Sequence, residues 1–137
     1  MPIKEELDPI IDSVKVAEGY RTYLYIDATG HQTFGYGWNV DNGIDQSLAE
    51  AVLNTQLKRS RKELDSVIIH KDLPQKLHNG LTELMFWVGL PTFLTFENMI
   101  GALKRKDYKE AKKHFMDSKI HREFTTRASR IAKSFDS

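Results

Sequence analysis

Cysteine is absent from the 137 residues. Its absence excludes a disulfide framework and cysteine-ligated metal sites, and it favours synthesis in the cytosol. No apolar run approaches the ~18 residues that a membrane-spanning helix needs, and the acidic N-terminus does not resemble a signal peptide. The five histidines show no metal-ligand spacing, and there is no glycine-rich phosphate loop or nucleophile elbow. We therefore expect one cytoplasmically made domain without a bound metal and without stable membrane insertion.

Net charge is small overall but unevenly distributed. The whole chain carries +1, with −5 over residues 1–100 and +6 over residues 101–137. A basic C-terminal face can attract an anionic polymer, and it also fits an ordinary solvated helical surface. The basic residues are not interleaved with aromatic residues in an arginine-rich motif, so we expect no nucleic-acid partner.

The candidate chemistry lies in residues 18–37, which are rich in glycine and aromatic residues. A helical pattern stops at Glu18. The β-branched and aromatic residues 22–26 predict a strand. Residues 27–30 predict a type I turn, because Asp occupies its first position and Gly its fourth. A second strand is predicted over residues 31–38.

This layout directs two carboxyl groups and a hydroxyl towards one place, which suits glycoside hydrolysis. That reaction pairs a carboxylic acid with a carboxylate, and the two need different environments. The carbonyl groups at a helix C-terminus disfavour negative charge, so we expect Glu18 to hold the proton. Asp27, beside the free N–H groups of a turn, is expected to stay ionised. The same residues also fit a solvated helix end, an Asx-turn, and, at Thr33, an ordinary strand threonine.

Helices are predicted over most of the remaining chain. The first should begin after Asp8, with Pro9 at its first position and one apolar face against a core. That face comprises Ile10, Ile11, Val14 and Ala17. A third strand is predicted near Ile44, and a long helix capped by Asp45 should follow over about 46–68, where no glycine or proline interrupts the pattern. The later helices are predicted from Leu73 to Val88, from Phe96 to Leu103, from Asp107 to Phe115, and after a cap at Thr125 or Thr126.

The active segment resembles a known signature. Eight residues separate Glu18 from Asp27, five separate Asp27 from Thr33, and Gly35-Tyr36-Gly37 follows. This pattern is similar to that of phage-type lysozymes, or endolysins, the glycoside hydrolase family that includes the T-even phage enzyme. Weaker similarity continues through the later helices and covers most of the chain. It lies in Leu81–Gly89, Phe96–Leu103 and Arg127–Phe135.

The resemblance implies an α+β, two-lobed, lysozyme-like domain spanning residues 1–137. A small β-hairpin lobe is expected over about 15–45, a connecting helix over about 46–68, and a helical lobe over about 72–137 that includes the N-terminal helix. A cleft is expected between the lobes. The implied activity is hydrolysis of the β-1,4 bonds between N-acetylmuramic acid and N-acetylglucosamine in peptidoglycan, without a cofactor. Apart from the resemblance, a water held between Asp27 and Thr33 predicts direct displacement and hence inversion.

The resemblance also implies roles for single residues. Glu18 would be the general acid, Asp27 would either activate a water or stabilise the positive sugar, and Thr33 would help to hold that water. The expected substrate-binding residues are Tyr25, Gly37, Phe86 and Trp87. Aromatic faces stack on sugars, although core packing is the commoner role for each such ring taken alone.

The expected partner is the glycan strand of peptidoglycan, bound by a monomer. Synthesis is expected in the cytoplasm of a bacterium infected by a bacteriophage. The protein would then reach the cell wall after the inner membrane is made permeable, and the outcome would be lysis of the host cell.

Several positions depart from the family pattern. Trp38 and Gln56 stand where relatives carry a charge pair, while Glu83 and Trp87 replace polar residues of the central helix. These changes keep a second hypothesis open, a catalytically weak or inactive lysozyme-fold module that binds peptidoglycan. A third hypothesis is a basic helical interaction domain unrelated to cell walls.

Overall fold

The computed structural model describes residues 2–68 and 72–136, with side chains from residue 7 onwards. The described residues form an α+β fold with one small antiparallel sheet and many helices. The chain divides into two compact units, Met1–Ala49 and Glu50–Ser137. No described helix is both long and apolar enough to cross a membrane.

The first unit begins with helix α1 (Pro2–Glu18), which contains Pro9 in its interior. The predicted start at Asp8 was therefore wrong. Residues 4–7 are strong helix formers, and they continue the helix although Pro9 cannot donate a backbone hydrogen bond. The predicted end at Glu18 is confirmed. Gly19 follows it with φ +70°, and its N–H donates to the Lys15 carbonyl over 3.0 Å.

The predicted core face of α1 is not buried. Ile10, Ile11 and Val14 are 56%, 41% and 43% exposed, and Ala17 is exposed as well. A helical stripe is buried only against a facing layer, and the three-stranded sheet of this unit does not provide one. This part of the sequence prediction was wrong.

The sheet of the first unit has the order β1 (Arg21–Ile26), β2 (Gln32–Gly35), β3 (Trp38–Asn39), with both pairs antiparallel. The first strand and the turn after it are confirmed. The second predicted strand was too long, because the chain reverses at residues 36–37. Gly35 and Gly37, with φ +59° and +85°, provide the backbone freedom for that reversal. The third strand thus lies at Trp38–Asn39, and the prediction near Ile44 was wrong.

Helix α2 (Gln46–Val67) begins in the first unit and continues in the second. Its predicted cap is confirmed, since the Asp45 carboxylate accepts a hydrogen bond from the Leu48 N–H over 2.8 Å. The predicted range of about 46–68 agrees with the observed helix to within one residue. The helices that follow are α3 (Gln75–Val88), α4 (Leu90–Phe93), α5 (Glu97–Lys104), α6 (Tyr108–Met116), α7 (Lys119–Glu123) and α8 (Thr125–Ala132), with a final 3₁₀ turn at Lys133–Phe135.

The hydrophobic core lies in the second unit, as the apolar periodicity predicts for its helices. Helix α3 contributes four fully buried side chains, the largest share from one helix. They are Leu77, Leu81, Leu84 and Met85. Phe115 of α6 joins α5, α7 and the 3₁₀ turn through ring contacts of about 6 Å with Phe96, His121 and Phe135. This aromatic packing holds the last third of the chain together.

Two helix starts in the second unit differ from the prediction. The Asp107 carboxylate caps α6 by accepting from the Glu110 N–H over 3.1 Å. The sequence of residues 107–110 predicts a capping box, in which Glu110 would reach back to the cap residue. The Glu110 carboxylate instead pairs with His114 at 3.2 Å. Thr125 is helical and donates its hydroxyl to the His121 carbonyl over 3.0 Å, so it caps nothing. Helix α7, capped by Ser118, was not predicted.

Candidate active site

The Asp27 carboxylate is fixed by its own turn. Its Oδ1 atom accepts three hydrogen bonds, from the Thr29 N–H at 2.9 Å, the Thr29 hydroxyl at 2.8 Å and the His31 N–H at 2.9 Å. The His31 backbone bond, followed by the Thr29 hydroxyl bond, holds the pKa of Asp27 below its ordinary value of 3.8. The turn therefore favours the ionised form.

The two oxygens of that carboxylate differ. Whereas Oδ1 is saturated, Oδ2 has no hydrogen-bond partner among the described residues. Asp27 keeps about a third of its side chain exposed, so Oδ2 is accessible to a water or a substrate. The arrangement gives a carboxylate with a fixed direction and one free acceptor atom.

Thr33 lies in the central strand β2, opposite Tyr25 of β1 and Asn39 of β3. It is 2% exposed, and among residues 7–49 it is the one buried side chain. Its hydroxyl donates to the His31 carbonyl over 2.9 Å. Since His31 also donates its N–H to Asp27, one peptide segment positions both Asp27 and Thr33. The Thr33 oxygen retains lone pairs that can accept a hydrogen bond.

Glu18, the last residue of α1, lies against the β2–β3 turn. A Cβ atom added at Gly37 would meet Glu18 Oε2 at 2.7 Å and its carboxyl carbon at 2.9 Å. Two further contacts join the same end of α1 to this turn. Tyr20 and Tyr36 have ring centroids 5.4 Å apart, and the Lys15 ammonium lies 5.5 Å from the Tyr36 ring. Glycine at position 37 is thus needed both for its positive φ and for the Glu18 carboxyl group.

The two candidate carboxyl groups flank a single strand. Glu18 precedes β1 and contacts the turn after β2, near the Arg21–Gly35 pair. Asp27 follows β1 directly, beside the Ile26–Gln32 pair. The separation of the two groups is therefore set by β1 and by the direction in which each side chain extends.

Two of the predicted substrate-binding residues, Tyr25 and Trp87, each have an arginine guanidinium over the aromatic ring. The Arg21 guanidinium lies 5.0 Å from the Tyr25 ring, and the Arg127 guanidinium lies 4.5 Å from the Trp87 ring. Trp87 also meets Phe124 edge-on at 5.7 Å and packs on the core of the second unit. A sugar stacking on either ring would use the face opposite the arginine. Phe86 is half-buried.

The residues that depart from the family pattern are also located. Trp38 stacks on Phe34 within the sheet, with ring centroids 6.3 Å apart. Glu83 is exposed on α3 and makes no ion pair within the described part of the chain. The described residues contain no cluster of three or more metal-ligating side chains.

Sequence reasoning missed the roles of Thr29 and His31. The signal for the Thr29 backbone bond was present, because an Asp side chain commonly accepts from the backbone N–H two residues on, as in the Asx-turn that the sequence allows. The Thr29 hydroxyl also lies 2.7 Å from His31 Nδ1. If Thr29 gives its one proton to Asp27, His31 Nδ1 must carry the hydrogen of this second bond. His31 thereby extends the network that orients Asp27.

Together, the acidic helix end, the buried strand threonine and the fixed carboxylate form a candidate site whose groups fit the chemistry of glycoside hydrolysis. A model of the phage lysozyme family matches residues 15–125, a range that includes every residue of this site. The chain therefore belongs to the phage lysozyme family. The family supports a muramidase or endolysin type of function in general, with peptidoglycan as the substrate. A comparison with curated proteins gave no match.

Proposed function

We propose that the protein is an endolysin-type muramidase that hydrolyses the β-1,4 bonds between N-acetylmuramic acid and N-acetylglucosamine, with inversion, and thereby lyses a bacterial host of a bacteriophage. The observation that carries this proposal is the Asp27 turn. It fixes and ionises one carboxylate while leaving a single oxygen free. Family membership supplies the substrate class.

In this mechanism Asp27 and Thr33 hold the attacking water. The water donates one hydrogen bond to Asp27 Oδ2 and the other to the Thr33 hydroxyl oxygen, whose own proton is committed to the His31 carbonyl. Asp27 then accepts the proton of the water as the bond to the anomeric carbon forms. A carboxylate held ionised by its turn suits this role.

Glu18 is the proposed general acid, which donates its proton to the leaving glycosidic oxygen. Its contact with Gly37 fixes the carboxyl group against a backbone that has no side chain to compete for the space. No metal or cofactor takes part in these steps.

Substrate binding is assigned to Tyr25, Gly37, Phe86 and Trp87. The two rings that carry an arginine, Tyr25 and Trp87, would stack on the apolar faces of sugar rings with their opposite faces. Gly37 admits the glycan close to the backbone of the β2–β3 turn.

Release of reducing ends from purified peptidoglycan tests the proposal. The wild-type protein should release them, and Glu18→Gln should reduce the rate by at least ~100-fold, because the amide keeps the shape and lacks the proton. Asp12→Asn, on the exposed surface of the same helix, is the matched control and should retain the wild-type rate. Near-normal activity of folded Glu18→Gln would remove Glu18 from the mechanism.

A second candidate is a lysozyme-fold module that binds peptidoglycan without cleaving it. The residues that motivate this alternative are Trp38, Glu83 and Trp87, which depart from the family pattern. Sedimentation of the protein with insoluble peptidoglycan, without release of reducing ends, would establish binding alone. The absence of both would instead support an interaction domain unrelated to cell walls.

A further inference from the structure

A groove between α2 and α3, entirely within the second unit, is not used by the mechanism above. It has a volume of about 370 Å³, which lies in the range of small-ligand sites. We call it the α2–α3 groove. It is lined by Leu57, Lys58, Arg61, Asn79, Thr82 and Glu83. Two of these six side chains are cationic and come from one turn of α2.

Arg61 is held in place by neutral groups. Its Nε–H donates to the Thr82 hydroxyl over 3.1 Å, and its Nη2 donates to the Asn79 side-chain oxygen over 2.7 Å. Both partners are themselves positioned. Thr82 is 6% exposed and donates to the His78 carbonyl, while Asn79 also accepts from Gln75. The guanidinium is therefore oriented without losing its charge to a carboxylate.

The remaining N–H donors of the Arg61 guanidinium have no anionic partner among the described residues. Arginine has five N–H donors in a planar fork, and two are used here, so three remain. Neither Arg61 nor Lys58 forms an ion pair with any described residue. Glu83, on the groove lining, lies beyond ion-pair distance of both. Charge-assisted, bidentate contacts to a carboxylate are the interaction that such a fork makes best.

We propose that the α2–α3 groove is a subsite for a carboxylate carried by the peptide stem of peptidoglycan, with Arg61 as the recognising residue and Lys58 as a second cation. Asn79 and Thr82 act as positioning residues. Leu57 and the aliphatic stems of the two cations provide apolar contact for the peptide. The choice of peptidoglycan as the source of the carboxylate rests on the proposed function, whereas the carboxylate chemistry does not.

Muramyl dipeptide, a small fragment with one free carboxylate, is the probe. Its binding to the ¹⁵N-labelled full chain is followed by NMR through the Arg61 Nε–H and Asn79 side-chain amide signals. We expect both signals to shift with muramyl dipeptide and to stay unchanged with its carboxamide derivative. Equal shifts with both compounds, or no shift with either, would overturn the proposal. Acetate binding as tight as muramyl dipeptide would retain the carboxylate chemistry and refute the peptidoglycan source.

Three variants separate recognition from a structural role. Arg61→Gln should raise the dissociation constant at least tenfold. Asn79→Asp should do the same without loss of thermal stability, because the new carboxylate pairs with Arg61 and occupies its fork. Arg59→Gln, which removes the same charge from an exposed position outside the groove, should change the constant less than twofold. If Asn79→Asp binds like the wild type, or if Arg59→Gln weakens binding as much as Arg61→Gln, the proposal fails.

Hydrolysis gives an independent readout. Arg61→Gln should raise KM about tenfold for glycan strands that carry peptides, with kcat unchanged, and should leave KM unchanged for strands freed of peptides. Equal KM changes on both substrates would contradict peptide recognition. If the wild type hydrolyses neither substrate and still binds muramyl dipeptide as expected, the proposed function fails and the subsite remains.

Discussion

At the scale of single residues, the two oxygens of Asp27 show how a short turn creates chemical direction. The Thr29 and His31 donors converge on Oδ1, and the two backbone N–H groups among them are fixed before any substrate arrives. Donors that need no rearrangement during a reaction cost no reorganisation energy. The residue types were readable in the sequence, but the asymmetry between the oxygens was not, because it depends on the rotamer of Asp27.

The lowered pKa of Asp27 has a consequence for stability. Because the folded state binds this proton less tightly than the unfolded state, the turn stabilises the fold above the ordinary value of 3.8 and loses that contribution as the pH falls through the lowered value. In Asp27→Asn, the amide oxygen can accept the same bonds without the charge. We expect the wild type to melt at a higher temperature than Asp27→Asn at about pH 6, and the difference to shrink as the pH falls below 3.8. Thermal unfolding followed by circular dichroism measures it, and a difference that grows in acid would contradict the sign.

Gly37 should be sensitive to a single added methyl group. In Gly37→Ala, the new Cβ would lie 2.7 Å from Glu18 Oε2, so the Glu18 carboxyl group must move. A displacement of about 1 Å at a catalytic group can cost roughly 100-fold in rate. We expect a loss of that size in kcat for reducing-end release.

Gly43→Ala is the matched control for Gly37→Ala. Gly43 also has a positive φ, +78°, but a Cβ there would meet nothing within 4 Å. Both variants pay the backbone cost of a left-handed alanine, ~1–2 kcal/mol, and only Gly37→Ala also displaces Glu18. Equal losses of activity would mean that backbone strain, and not contact with Glu18, explains the effect.

At the scale of secondary-structure elements, prediction succeeded where one periodicity continues for many residues. Helices α2, α3 and α5 were predicted because their apolar residues recur at helical spacing and because Asp45, Pro74 and Gly89 mark their boundaries. Prediction failed where two short-range preferences compete. Pro9 favours a helix start, but the good helix formers before it extend the helix. The composition of residues 31–38 predicts one strand, but two glycines allow a reversal.

Gly80 of α3 shows that a helix position can depend on a distant element. Alanine normally stabilises a helix interior relative to glycine by roughly 0.5–1 kcal/mol. A Cβ at Gly80, however, would collide with the Oγ and Cβ atoms of Ser134 in the 3₁₀ turn. We expect Gly80→Ala to lower the free energy of unfolding by roughly 1–3 kcal/mol, as overpacking does, in urea denaturation.

Gly101 of α5 provides the comparison for Gly80. A Cβ there would meet only the flexible Arg105 side chain, at 3.4 Å, so Gly101→Ala should stabilise by the ordinary helical increment. Adding Ser134→Gly to Gly80→Ala should recover most of its loss. Should the double variant be no more stable than Gly80→Ala alone, the collision with Ser134 would not be the cause.

At the scale of the whole molecule, the proposed catalytic residues and the hydrophobic core lie in different parts of the sequence. The proposed acid, base and water-holding threonine all belong to the first unit, whereas the hydrophobic core belongs to the second. The signature at residues 18–37 was sufficient to predict the family, which the match over residues 15–125 confirms. The α2–α3 groove was not predictable, because its residues come from two helices whose packing the sequence does not show. The orientation of Arg61 depends on its hydrogen bonds across that packing, to Asn79 and Thr82.

Stereochemistry tests the proposed reaction as a whole. A water held by Asp27 and Thr33 attacks directly, so the first product from the β-linked chain should be the α-anomer, and the two carboxyl groups should stand roughly 6.5–9.5 Å apart. NMR of the first-formed product distinguishes the outcomes. An initial β-anomer would mean retention, and the water-holding role would be abandoned. Thr33→Glu should place a carboxylate at the water position and allow a covalent glycosyl-enzyme, detectable by mass spectrometry.

The contact between Glu18 and Gly37 also bears on inheritance. It closes a segment of twenty residues, 18–37, that contains the whole proposed catalytic set, so the codons for these residues lie close together. A single exchange of DNA between two genomes can transfer such a stretch complete, with its internal geometry preserved by its own turn and strand bonds. The residues of the α2–α3 groove, which we propose to bind the peptide carboxylate, are encoded further along the gene. Recombination between the two stretches would join an unchanged reaction to a different preference for the wall peptide.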